Sequence, residues 1–283
     1  MISIIIPTFN NLNYLKICIN SLEKNSKHKH EIKLHVNEGL DGTKQFADKE
    51  NIPYTHSNTN IGLCSAINKA AKDITNDYIL YAHDDMYFCP GWDTALLKEI
   101  QNMQTDLFYL SGTMIEPKSA HISFNCGSTH NDFDEQKLLS NYKDLSFYDH
   151  QGSHFAPHLI KKKLWDQVGG FSEEFNPGMA SDPDFNMKLW NHGVRIFKGI
   201  NDFRVYHFSS VTTRKKNNLQ KNKGDITFIQ KWGFSHKFFK KHYLRSNTVY
   251  NGPLNNPKKQ TTYYVDLFFS KLKFFYLKFF FKF

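Results

Sequence analysis

Cysteine is scarce and unpaired: Cys18, Cys64, Cys89 and Cys126 are spread over 283 residues with no CxxC pair. That spacing excludes a zinc knuckle and suggests no disulfide framework, so a reducing cytoplasm is the expected compartment. Long apolar runs are missing too, and nothing approaches the roughly eighteen residues a membrane span needs. The opening run Ile2 to Ile6 is too short for a signal peptide, lacks a basic leader and runs into Pro7, so it reads as a first buried strand. Acidic residues are lacking in one region only. Residues 212–283 hold 16 Lys+Arg against 2 Asp+Glu, whereas residues 1–211 hold 20 against 25, so the net charge of +9 belongs to the C-terminus. A basic patch suits nucleic acid, anionic lipid or phosphorylated ligands, and charge alone does not choose among them.

What is present is a globular chain. A hydrophobic content of 40% is enough to bury a full core in one large domain with an appendage. From Ile2 to about Leu110, short apolar runs alternate with helical patterns, as in a βα sheet. Expected strands are Ile2 to Pro7, Ile32 to Asn37, Ile52 to His56, Tyr78 to Ala82 and Leu107 to Ser111. Leu12, Leu15, Ile19 and Leu22 fall on one helical face, and Leu63, Ala66, Ile67 and Ala70 on another. Residues 112–150 are polar and aromatic with weak periodicity and read as loops and irregular strands. A strand over Ser153 to Ile160, a helix over Lys161 to Val168 and a turn at Gly169-Gly170 follow. Ser181-Asp182-Pro183-Asp184 opens a further helix, with Pro183 at its first position and Asp182 as N-cap.

Adjacent acids, Asp84 and Asp85, follow directly on the apolar run Ile79-Leu80-Tyr81-Ala82. In doubly wound sheets ligands bind beyond the carboxyl ends of the strands, where Thr8, Asn37, His83, Asp84 and Asp85 would gather. Acids delivered there suit a divalent cation and the diphosphate it holds. A solvated turn is the other reading of the pair. Asp182 is open to two readings as well, an N-cap or a general base, with Asp184 its rival. His207, one of fourteen histidines, reads as structural or as a ligand.

These segments resemble, in order over roughly residues 1–235, the family 2 inverting glycosyltransferases with a GT-A fold. Ser3 to Asn10 is similar to the family's first strand and nucleotide-binding loop. Val36-Asn37-Glu38-Gly39-Leu40-Asp41 is similar to a segment that usually carries an acid where Asn37 stands. Asn60-Ile61-Gly62 through Asn68 resembles the loop and helix that follow. His83-Asp84-Asp85 looks like the DxD region with His in the first acidic place, Val168 to Phe185 like the acceptor-side segment, and Val205-Tyr206-His207-Phe208 like a late strand. The resemblance implies an α/β fold with a mixed, mostly parallel sheet flanked by helices. It implies donor contacts from Thr8, Phe9, Asn37, Gly62, Asn68, His83 and Asp84, a metal on Asp85 and His207, and Asp182 as base. Asp184 would contact the acceptor, and Arg214, Lys215 and Lys216 would close over the diphosphate. Inversion is likewise an implication of the resemblance.

Such a reaction needs these residue types. The acceptor hydroxyl must lose its proton to a placed carboxylate, and Mg²⁺ or Mn²⁺ can stabilise the departing diphosphate. The expected layout is a catalytic domain over residues 1–235, with a nucleotide-binding half (1–111) and an acceptor half (112–235), then a basic aromatic extension over 236–283. In that extension eight of the sixteen residues from Phe268 to Phe283 are Phe, interrupted by Lys271, Lys273, Lys278 and Lys282. This is the pattern of a helix lying on an anionic membrane with snorkelling lysines, and a helix docked on the enzyme's own body is the competing reading. The expected protein is a metal-dependent glycosyltransferase at the cytoplasmic membrane face, using a nucleotide-sugar donor and a glycan or lipid-linked acceptor in bacterial surface polysaccharide synthesis. No nucleic-acid partner is expected. The alternatives are a sugar nucleotidyltransferase, which Pro7-Thr8-Phe9-Asn10-Asn11 does not suit because it is neither glycine-rich nor basic, and a catalytically degenerate carbohydrate-binding scaffold.

Overall fold

The computed structural model describes residues 1–118, 120–208 and 223–280. Its first strand, β1 (Ile2–Phe9), lies inside the sheet, and its isoleucines are all fully buried, as expected of a strand covered on both faces. Helix α1 (Leu12–Asn25) returns the chain along the sheet on Leu15, Cys18, Ile19 and Leu22, each buried. Burying each aliphatic side chain of that stripe contributes about 1.5–3 kcal/mol. Strand β2 (Glu31–Asn37) pairs parallel to β1 in the register Ser3↔Glu31 to Phe9↔Asn37. Helix α2 (Thr43–Lys49), β3 (Tyr54–Ser57), α3 (Leu63–Ala71) and β4 (Tyr78–Tyr81) complete a parallel set in the order β4-β1-β2-β3.

The sheet then becomes mixed. Short β5 (Met86–Phe88) and helix α4 (Trp92–Asn102) lead to β6 (Phe108–Glu116) and two-residue β7 (Ile122–Ser123). After α5 (Glu135–Asn141) come β8 (His150–Gln151), β9 (His158–Lys161), α6 (Lys162–Val168), α7 (Ser181–Asn191) and the long β10 (Ile196–His207). Strand β9 inserts antiparallel between β4 and β6, and β10 runs parallel to β6. The result is a mostly parallel sheet flanked by helices, with one core cluster running through both halves.

Several local expectations are corrected. Of the expected strand Ser153 to Ile160, only the end from His158 is extended pairing strand. Helix α5 lies inside the stretch read as loop; it is amphipathic only through Leu138 and is capped by the Asp134 side chain, which accepts from Lys137 N at 2.8 Å. Asp182 is not an N-cap. Helix α7 begins two residues earlier, at Ser181, with Ala180 in the cap position at φ 61°, a left-handed conformation that costs a non-glycine residue about 1–2 kcal/mol.

Helix α8 (Gly224–Trp232), helix α9 (His236–Phe239) with a π-helical turn over Lys240–Leu244, and β11 (Thr248–Val249) follow. Strand β11 pairs with β8, and Phe238, Phe239, Leu244 and Leu254 are buried, so residues 236–254 join the body of the sheet domain. Only the last helix, α10 (Thr261–Phe280), stands on the outside as an extension.

Candidate active site

The carboxyl ends of β1, β2 and β4 open onto a cavity of about 200 Å³ lined by Thr8, Phe9, Asn37, Asn60, His83, Asp84 and Asp85, with Pro7, Leu63 and Pro177. A larger hollow of about 670 Å³ sits at the other end of β1 and β2 beside Lys27, His28 and Glu31. The first is the better candidate because it combines adjacent buried acids with a strand-end location.

Sheet pairing assembles its most reactive corner. Strand β5 pairs antiparallel with β10 so that Met86 faces His207, and Phe208 N donates to Asp85 O at 3.1 Å. Asp85 and His207, 122 residues apart in sequence, are thereby brought side by side, with His207 Nε2 3.3 Å from Asp85 Oδ1. His83 Nδ1 lies 3.9 Å from the same oxygen, and one ligand atom from each of His83, Asp85 and His207 falls within 4.8 Å of the others. His207 Nδ1 donates to Glu116 Oε1 at 2.6 Å, which turns the buried Nε2 towards Asp85. Burial opposes charge on His207, but the carboxylates of Asp85 and Glu116 outweigh it and hold the imidazole up at about 10. Burial instead pushes His83 down to about 4.

Asp84 turns the other way. Its Oδ1 accepts from Asn11 Nδ2 at 3.0 Å, and burial, reinforced by the Asp85 charge, pushes its carboxyl up to about 7. Asn37 Oδ1 accepts from Ile61 N at 3.1 Å, so this residue holds the β3–α3 loop against the end of β2. Gly62 in that loop has φ 85°, and a Cβ there would lie 2.4 Å from Asn176. The crowding has a purpose. Asn176 caps α3 from outside, accepting from Cys64 N at 2.9 Å and donating to Ser65 Oγ at 2.8 Å, and so locks the donor-side loop to the loop before α7.

Asp182 stands in the first turn of α7, outside the lining of the donor cavity. Burial raises its carboxyl to about 7, and Oδ1 is occluded without a hydrogen-bond partner. Tyr81, the fully buried last residue of β4, lies within electrostatic reach of both Asp182 and Asp85; burial first, then those carboxylates, raise its phenol far above the usual range.

Two residues expected in the site are braces. Asn68 donates to Phe171 O at 2.8 Å and accepts from Phe171 N at 2.9 Å, which fixes α3 to the Gly169-Gly170 turn instead of reaching the cavity. Asp184 is fully buried, accepts from Trp232 Nε1 at 2.8 Å and pairs with Lys231 Nζ at 3.0 Å, so it anchors α8 instead of facing an acceptor. Arg214, Lys215 and Lys216 lie outside the described residues. Glu116, Tyr81 and Asn176 were not anticipated. Glu116 had a signal, since it ends the apolar run Phe108 to Ile115 as Asp85 ends that of β4; Asn176 had none.

Comparison with known proteins agrees with this arrangement. The chain aligns with S. aureus TarS 1-349 at 18% identity and TM-score 0.57, covering 74% of this chain and 60% of that one. The same fragment in complex with UDP-GlcNAc gives 18% and 0.55, over 74% and 61%. GalNAc-T7 with UDP, GalNAc and Mn²⁺ gives 14% and 0.56, over 73% and 43%. At such identities the likeness establishes the GT-A fold alone, and the chain spans less than two thirds of each of these structures. No curated protein matches. The family described as Glycosyl transferase family 2 matches residues 3–158, more than half of the chain and inclusive of Asp84 and Asp85, and the chain belongs to that family.

Proposed function

We propose that the chain transfers a sugar from a nucleotide-sugar donor to an acceptor hydroxyl with inversion, and that the carrying observation is the convergence of His83, Asp85 and His207, the first two of which line the strand-end cavity. The donor set fits a divalent metal: one carboxylate oxygen and two imidazoles with their ligand atoms within 4.8 Å of one another, and a Glu116 carboxylate fixing the opposite nitrogen of His207. Such an ion, when bound, neutralises the charge that builds on a departing diphosphate. Oxygen with imidazole donors favours Mn²⁺, with Mg²⁺ the other candidate.

The remaining roles fall to the chain's own side chains. Thr8, Phe9 and Asn37 shape the pocket for the nucleoside, and Asp84, held by Asn11, sets the turn that presents Asp85. Asp182 takes the proton of the acceptor hydroxyl; a carboxyl raised to about 7 is a stronger base than an ordinary one and is still substantially ionised at neutral pH. Inversion is the outcome a single displacement assisted by one such base would give. A uridine diphosphate donor is favoured because both solved relatives were captured with UDP or a UDP-sugar. The proposed acceptor is a glycan or lipid-linked glycan of bacterial surface polysaccharide synthesis.

Calorimetric titration of UDP, GDP, CDP, dTDP and CMP, each with Mn²⁺ and with EDTA, tests this reading. Metal-dependent binding of UDP is expected. Binding of none of the five would overturn it in favour of a degenerate carbohydrate-binding scaffold on the same fold.

A further inference from the structure

Helix α10 is two-faced in an unusual way. Tyr263, Ser270 and Leu277, seven residues apart, are buried against the body, and the half-buried Asp266, Lys271 and Phe274 flank them. That docking is specific. Ser270 Oγ accepts from Ser235 N, Asp266 pairs with Lys241 at 2.6 Å and His242 at 2.7 Å, and the Tyr263 ring packs on Phe238 at 5.1 Å. The opposite face should then be polar, and it is not. Tyr264, Phe268, Phe269, Phe275, Tyr276 and Phe279 are all exposed there, Phe269 at 64% and Phe279 at 74%. Aromatic rings in that number on one helix face mark a binding surface.

We propose that this outer face of α10 lies in the interface of an anionic lipid bilayer, holding the enzyme flat against a membrane. Charge selects this occupant over a second copy of the chain. The only acid of α10, Asp266, is turned inward and already paired, while Lys271, Lys273 and Lys278 interleave the aromatic positions. A cationic, acid-free rim around an aromatic face complements lipid phosphates, whereas two such faces would repel each other. The helix is about 30 Å long, and among the described residues no helix is long and apolar enough to cross a membrane, so α10 lies on the surface. The same helix packs on α8, whose Lys231 and Trp232 hold Asp184 of α7. Docking through α10 thus fixes α7, with Asp182, in one setting relative to the bilayer; the catalytic meaning of that setting rests on the proposed function, whereas the docking does not.

The test is co-sedimentation of the full chain with vesicles of phosphatidylcholine alone or with about 30% phosphatidylglycerol, beside the variant Phe268→Glu/Phe269→Glu/Phe275→Glu. Three exposed positions carry these changes, so nucleotide binding of the variant is expected to match the wild type. Binding to the anionic vesicles is expected to weaken at least about tenfold in this variant and by about fivefold for each of Lys273→Gln and Lys278→Gln. Equal binding by the wild type and the triple variant, or no vesicle binding by the wild type, overturns the proposal. Concentration-dependent dimerisation abolished by the same substitutions, without vesicle binding, would assign the face to a second copy instead. Nucleotide calorimetry and vesicle binding fail independently, so the loss of one reading leaves the other standing.

Discussion

The two acidic pairs of this chain solve the same problem with different local geometry. Asp84 and Asp85 are neighbours on a turn after β4, and Asp182 and Asp184 are two apart in the first turn of α7. In each pair one carboxylate is held by a neighbouring side chain, Asp84 by Asn11, although it lines the cavity with Asp85, and Asp184 by Trp232 and Lys231. On the turn, adjacent carboxylates already reach different partners, Asn11 for Asp84 and His207 for Asp85. On the helix, two residues advance about 200° and the same division needs a spacing of two. An acid cluster in a sequence is therefore to be read as one working group and one strut, with local geometry deciding which is which.

Substitutions separate the two classes. Asp182→Asn is expected to lower transfer at least about a hundredfold while leaving nucleotide affinity intact, measured by initial rates beside calorimetry. Asp85→Ala is expected to weaken metal-dependent nucleotide binding by about ten- to a hundredfold, with no change in EDTA. Asp184→Ala, by contrast, is expected to cost about 2–3 kcal/mol of stability in thermal unfolding, because Trp232 Nε1 and Lys231 lose a buried acceptor, with nucleotide binding preserved. If Asp184→Ala abolished transfer in a stably folded protein, the division would collapse.

A pH profile refines the contrast. With Asp182 titrating at about 7, transfer is expected to fall about tenfold per pH unit below that value and to level off above it. The stability sign is opposite. A carboxyl raised above its unfolded value disfavours the folded state once ionised, so stability declines as pH rises from about 4 towards 7. Asp182→Asn removes that cost and is expected to unfold at a higher temperature than the wild type at pH 8, by about 1–2 kcal/mol given the partial solvation of the group.

Sequence reading worked where one physical signal dominated. The first and fourth strands were legible because they are buried apolar runs, the second because Ile32, Leu34 and Val36 alternate with polar residues, and Asp85 because it closely follows the fourth. It failed where partners are distant. Nothing near Asn68 or Asp184 announces Phe171 or Trp232, and Asn176 caps a helix 112 residues away. Helix α5 escaped because a seven-residue helix with one buried apolar side chain has no periodicity to detect. The extension was half legible: its aromatic face was evident, whereas Tyr263, Ser270 and Leu277 as a docking stripe needed the surface of α8 and α9 to be visible.

The pairing of β5 with β10 has a kinetic consequence. Asp85 leaves the first half of the chain early, yet its neighbour His207 arrives on the last residue of a strand that must first zip along β6 from Ile196↔Phe108 to Tyr206↔Ile115. Contacts this far apart in sequence are slow to close. A chain released from synthesis before residue 207 would hold Asp85 without its imidazole neighbour, so, if the proposed metal site is correct, the onset of metal affinity during refolding would time the completion of the sheet.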